Sequence, residues 1–473
     1  MSSRAGGRRA GFGWALSSLP ALLLAATVGW LGGGCDRGGT IALSLVSAPD
    51  SPVLDQVVRA RLTLTDPLAV VEAERDPVGG LALDLDVAAG AAQGSLIFEG
   101  FDQDGELVAY GRSGALPIAA INAEVAVYVA APMSLAAAPA ALDPPRSEVG
   151  AAPLSFGAVV VGGRTGDGQA SAAVEVYSVY QHDFVPVADL PAARVAPAVA
   201  TGRFDRVYAF GGFDGEGAPT ADLYSVDTRA GFIVVLPAAA DELARAGAAM
   251  AALGGDTFAV TGAPAVRIDG VRGSVTPFAD APDLAGTATS AVVDGVVHAV
   301  FAGAGNGSGG AVVLSDGGFR DLPAPAPAGG TDSPLLRTGH AGVLLPDGSV
   351  VVVGGRVEAE AGAILPDVGM RIRPGADTVE PALVLASARA EAATAATERF
   401  VVVAGGVDET GAVLGDAEVF TADELDPVAT LAMVVPRRGA TAIPLSNGQI
   451  LILGGVDESG APVGTAELFT PSP

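Results

Sequence analysis

The chain has 473 residues, room for roughly two to four domains, and sets 26 basic against 53 acidic side chains for a formal charge of −27. Every basic residue is Arg, which excludes a P-loop lysine, a Schiff-base lysine and a Ser–Lys dyad; the single Cys excludes internal disulfides and thiolate zinc clusters. A pI near 4.3 argues against nucleic acid as a partner, because phosphates need a net basic surface.

Residues 1–13 carry Arg4, Arg8 and Arg9 and no acid, Trp14 to Leu31 is an uncharged apolar run, and Gly32-Gly33-Gly34-Cys35 follows. A basic region, an apolar stretch and small residues at a cut describe an export signal. A Cys directly after small residues resembles the lipobox of bacterial lipoproteins, here with Leu31 four positions before the thiol. The resemblance implies a signal peptide at 1–34, acylation of Cys35 and a lipidated tether at 35–40. The mature chain would then be an extracytoplasmic, lipid-anchored protein of the cell envelope, on the inner or the outer membrane. Cleaved secretion and an uncleaved anchor helix are the alternatives.

Residues 41–130 read as a small β domain. Leu81, Leu83, Leu85 and Val87 alternate with Ala82, Asp84, Asp86 and Ala88, the period of a half-buried strand. Similar runs are 41–46, 57–65, 95–101, 106–110 and 124–129, parted by turn signals at 76–80 and 102–105. Short strands at this density resemble immunoglobulin- or transthyretin-like β-sandwiches. Asp102-Gln103-Asp104-Gly105 lacks the third acid and distal Glu of a calcium loop and is expected to be a hairpin turn.

From residue 131 to 473 the sequence repeats with a period of about 50 residues. An apolar run ends in a glycine doublet at Gly162-Gly163, Gly211-Gly212, Gly354-Gly355, Gly405-Gly406 and Gly454-Gly455, with weaker copies at Gly262 and Gly303. Four units continue into an acid-x-aromatic strand: Glu175-Val176-Tyr177, Asp222-Leu223-Tyr224, Glu418-Val419-Phe420 and Glu467-Leu468-Phe469. An Arg stands sixteen or seventeen residues before the doublet position at Arg146, Arg194, Arg245, Arg337, Arg389 and Arg438, and the fourth unit has Gly286 there. Strand, doublet, loop and aromatic strand at this period resemble the kelch repeat, which implies an all-β, kelch-like β-propeller of seven blades, or six. Arg337-Thr338-Gly339-His340 with Pro346-Asp347-Gly348 matches best, whereas the Trp that kelch blades carry after the aromatic is absent. The last unit stops just after its aromatic strand, so residues 133–142 are expected to supply its outer strand and close the ring. A Pro/Ala-rich linker is the other reading of that stretch.

Chemistry is sparse. His182, His298 and His340 fall at different positions in their units, and no G-x-S-x-G or H-E-x-x-H motif occurs. Acidic turns such as Asp214-Gly215-Glu216, Asp408-Glu409 and Asp457-Glu458 are read as Asp-capped turns rather than Ca²⁺ loops. No metal or cofactor is expected. The six Arg are either a ring at one channel mouth, suited to carboxylates through bidentate bonds, or ties inside the repeat. The expected function is a monomeric, non-catalytic envelope lipoprotein that binds a protein, peptide or glycan. The alternative is a carbohydrate-active propeller enzyme, a hydrolase or lyase using channel acids.

Overall fold

The computed structural model describes residues 22–24, 41–76, 93–117, 123–237, 239–306, 309–323, 334–358 and 362–473. Cys35, the expected signal segment apart from residues 22–24, and the alternating run 81–87 lie outside the described residues. Apart from the 3-10 turns Arg203–Asp205 and Asp241–Leu243, the described regular structure is strand.

In the amino-terminal region, Leu68–Glu74, Arg59–Thr65, Leu96–Phe101 and Leu107–Arg112 form, in that order, a four-stranded antiparallel sheet. Period-two patterning does the work: Ala60, Leu62 and Leu64 point inward with Leu96 and Phe98, while Arg61, Glu72 and Glu99 pair on the outer face. The inward face packs on a second sheet, in which Ile41–Val46 runs parallel to Ala123–Tyr128, with Leu43 opposite Val125 and Leu45 opposite Val127. Leu22–Leu24 adds antiparallel to Ile41–Val46. Asp102 closes a hairpin, its Oδ1 accepting the backbone N–H groups of Asp104 and Glu106, both at 2.9 Å.

Among the described residues, seven further four-stranded antiparallel sheets follow in a propeller-like succession. In the first, Gly150–Leu154, Gly157–Val161, Val174–Ser178 and Phe184–Pro186 pair in chain order. The last combines Thr441–Pro444, Ile450–Leu453 and Glu467–Thr470 with Ser134–Ala137, which sets Leu135 opposite Phe469 and Ala136 opposite Leu468. The innermost strands touch in sequence: Gly150–Leu154, Ala198–Thr201, Met250–Gly254, Thr287–Val293, Thr338–Leu344, Ala393–Ala396 and Thr441–Pro444, which returns to Gly150–Leu154.

This stacking explains why the second strands are continuous apolar runs. Both faces of Gly157–Val161, Phe400–Ala404 and Ile450–Leu453 are buried against neighbouring sheets, so alternation gives way to apolar residues throughout. Each buried Val, Ile, Leu or Phe among them contributes about 1.5–3 kcal/mol. The outermost strands are exposed, and four of them carry proline: Pro186, Pro277, Pro381 and Pro427. A residue without an N–H blunts an edge against further strand pairing.

The doublet shows why Gly is needed. Gly405 has φ +61°, and a Cβ there would sit 2.3 Å from the carbonyl oxygen of Arg437 in the next unit. Gly406 donates its N–H to that same oxygen at 2.9 Å. Equivalent stitches join Gly163 to Arg194, Gly212 to Arg245 and Gly355 to Arg389, each at 2.8 Å.

Candidate functional site

Four members of the Arg series lie inside the sheets. Arg146, Arg337 and Arg389 are at most 1% exposed, and Arg194 is 3% exposed. Arg146 pairs with Glu175, Arg194 with Asp222, and Arg389 with Glu418 at 2.6 Å, so each guanidinium meets the acid of its own unit's aromatic strand. Glu418 also accepts the N–H groups of Ala386 and Ser387, at 2.7 and 3.0 Å. Among the described residues Arg245 and Arg337 have no such acid. Arg245 donates to the carbonyls of Leu243, Thr261 and Pro264, and Arg337 to those of Pro334, Gly354 and Val368. Burial lowers Arg337 to about 10, which leaves it charged at neutral pH.

One member of the expected series is corrected. The last unit's counterpart is Arg437, which donates to the carbonyls of Val435, Gly454 and Thr465 and to Glu467 at 2.6 Å. Both side chains of that ion pair are fully buried. Arg438 instead faces outward, 41% exposed, and pairs with Glu391 at 2.8 Å.

The fourth unit, without an Arg, solves the same problem differently. Fully buried Asn306 accepts the N–H of Ala285 and donates to the carbonyl of Ala285 at 3.0 Å. His340 reaches across from the fifth unit, its Nε2–H donating to the carbonyl of Ala302 at 2.7 Å.

Beside the Arg series the backbone repeats one conformation. Two residues after five of these Arg the chain turns left-handed, at Glu148, Ala196, Gly247, Gly339 and Glu391, and it does so again at Gly439 after Arg437. These positions hydrogen-bond around the axis: Ala196 N–H to Glu148 O, Gly247 to Ala196, Glu391 to Gly339 and Gly439 to Glu391, at 2.7–3.0 Å. Of these positions Glu148 and Glu391 carry charged side chains, salt-bridged to Arg164 and Arg438 at 2.8 Å each. They line a shallow pocket of about 410 Å³.

His182 is a structural junction. Its Nε2 accepts the N–H of Tyr128 at 3.1 Å, so the proton of the neutral ring lies on Nδ1, 3.1 Å from Tyr177 Oη. Burial pulls its pKa down to about 3. The acidic turns are self-capped: Asp214, Asp408 and Asp457 each accept two backbone N–H groups of their own turn through Oδ1. Among the described residues no group of three or more His, Cys, Asp or Glu could hold a metal ion, and no described helix is long and apolar enough to cross a membrane.

Two larger clefts lie between the amino-terminal region and the repeat. One of about 960 Å³ is lined by Glu99, Tyr110 and Arg112 on one side and Arg399, Asn447 and Pro471 on the other. The second, of about 970 Å³, includes Gln93, Ser155, Phe156, Gln181, Val185 and Arg229. The repeat pattern gives no sign of these residues, because none belongs to its glycine doublets, acid-x-aromatic segments or Arg series; the doubled Arg437-Arg438, by contrast, did offer a signal.

No protein-family model matches the chain, and no curated protein matches it. Among solved structures it is similar to that of YjhT, at 13% sequence identity and a TM-score of 0.43, over 69% of this chain and 95% of that one.

Proposed function

We propose that the chain is a non-catalytic envelope lipoprotein, tethered through Cys35, in which a small β-sandwich carries a kelch-like propeller of seven blades that binds a protein, peptide or glycan. The chemistry of the innermost strands carries this reading. Gly150–Leu154, Ala198–Thr201, Met250–Gly254, Thr287–Val293, Thr338–Leu344, Ala393–Ala396 and Thr441–Pro444 contain one ionisable side chain, His340, and that ring is bonded to Ala302. A hydrolase or lyase working with channel acids needs a carboxylate placed as acid, base or nucleophile. These strands supply none, and the acids of the aromatic strands are engaged by Arg and backbone N–H groups. The cycle of contacts among the seven innermost strands supports the blade count. The shared core of the two amino-terminal sheets supports the sandwich.

The purified chain, screened against glycan and envelope-protein arrays, is expected to retain a ligand without converting it; turnover of any glycan would overturn the proposal. Cys35→Ser is expected to abolish palmitate labelling and membrane fractionation. Unchanged fractionation would overturn the lipid tether.

A further inference from the structure

The cleft of about 970 Å³ has a prepared cation in its lining. It is framed by hairpin tips of the first two repeat units, the outer strand Phe184–Pro186 and residues Gln93 and Ala115 of the amino-terminal region. Arg229 lies over the Phe156 ring, 5.2 Å from its centroid. Its Nη2 donates to Asp205 Oδ2 at 2.6 Å and to Ser155 Oγ at 3.3 Å. Asp205 is itself fixed by the Ser155 N–H at 2.8 Å and hydroxyl at 2.7 Å. Burial works against its ionised form, but Ser155 and Arg229 hold its carboxyl below the usual range.

All contacts of the guanidinium with Asp205 and Ser155 run through Nη2. The side chain is 63% exposed, and among the described residues Nε and Nη1 have no partner. A stacked guanidinium with its geometry already fixed loses little freedom on binding an anion. The rest of the lining is of two kinds. Val185, Pro186 and Val187 form an apolar strip, with Val185 42% exposed. Gln93 and Gln181 offer carboxamides, which carry the same donor and acceptor as a peptide group. Strand addition to this edge is blocked, because Pro186 has no N–H and the Phe184 N–H is taken by Asp183.

We propose that this cleft binds an extended peptide segment of alternating acidic and apolar residues, its carboxylate on Arg229, its apolar side chains on Val185–Val187 and its backbone against Gln93 and Gln181. An extended chain turns successive side chains to opposite sides, which suits a lining with separate charged and apolar parts. The inference rests on the binding-protein reading and names its partner class and site.

The test is fluorescence anisotropy of the full chain with a fluorescein-labelled Glu-Leu repeat peptide, a Lys-Leu repeat peptide and unlabelled tetragalacturonate as competitor. Saturable binding of the Glu-Leu peptide alone is expected. Arg229→Gln should weaken it by about tenfold to a hundredfold, the worth of a charge-assisted bond. Val185→Asp, an exposed position whose melting temperature serves as the folding control, should weaken it comparably, and Arg438→Gln should leave it unchanged. Binding that survives both cleft variants, equal binding of the Lys-Leu peptide, or binding of tetragalacturonate in its place would overturn the proposal. An array ligand held equally well by Arg229→Gln overturns this cleft and leaves the binding-protein reading standing, whereas glycan turnover overturns that reading itself.

Discussion

The sixth and seventh repeat units and the third and fourth satisfy the same backbone with different chemistry. In the sixth and seventh, Arg389 and Arg437 join a doublet carbonyl to a buried Glu, and that Glu takes two more backbone N–H groups. In the third, Arg245 reaches carbonyls only, and in the fourth Asn306 stands in from a loop. What the fold needs at this place is a donor for carbonyls that neighbouring sheets have sealed from water. The charge pair is one way to supply it, and its cost is that neither partner tolerates losing the other.

That contrast can be broken by substitution. Arg437→Ala should lower stability by about 3–5 kcal/mol, since it strands the buried carboxylate of Glu467. Arg438→Ala, one residue away and exposed, should cost about 1 kcal/mol or less. Equal losses in urea unfolding would mean that the two residues have been assigned the wrong way round. Glycine comes next. Gly405→Ala should cost about 3 kcal/mol or more, combining a left-handed backbone with a collision at the Arg437 carbonyl. Gly411→Ala, left-handed but with open space around it, should cost about 1–2 kcal/mol by the same measurement.

Asn306→Ala tests the substitute arrangement. It leaves the N–H and carbonyl of Ala285 without their partner and should cost about 1–3 kcal/mol, less than Arg437→Ala because no ion is stranded. A pH-dependent effect lies at the junction with the amino-terminal region. His182 ordinarily titrates near 6.5 and is held down to about 3 by burial, so the unfolded chain binds its proton first as pH falls. Its contribution is complete above pH 6.5 and is lost progressively toward pH 3, by about 1 kcal/mol between pH 6.5 and 5.5. His182→Gln should flatten that part of the stability profile; an unchanged slope would show that other groups carry it.

Strand positions were legible in the sequence wherever periodicity or its suppression was strong. The runs ending at the doublets are apolar at every position because sheets cover both faces, and the acid-x-aromatic segments become the third strands. Pairing partners were harder to read. The parallel ladder between Ile41–Val46 and Ala123–Tyr128 joins segments far apart in the chain, and Leu68–Glu74, parted from Arg59–Thr65 by the turn signal Asp66-Pro67, sets apolar Leu68 and Val70 on its exposed face, which blurs its alternation. At the Arg series, a spacing of sixteen or seventeen residues admits both Arg437 and Arg438, and only burial separates them. The Ser155, Asp205 and Arg229 cluster had no signal at all, since three hairpin tips meet there through tertiary packing.

Pairing Ser134–Ala137 with Glu467–Thr470 has a consequence for the order of assembly. The strand that completes the last sheet is among the first of the repeat region to be synthesised, yet its partner lies at the carboxyl end. A growing chain can stack six sheets one upon another, but the final edge stays open until residues 467–470 arrive. Completion of the last sheet therefore depends on both of these segments. A fragment truncated before Glu467 leaves Ser134–Ala137 without its partner and one edge of Ile450–Leu453 open, ready marks for proteases and sites for mispairing.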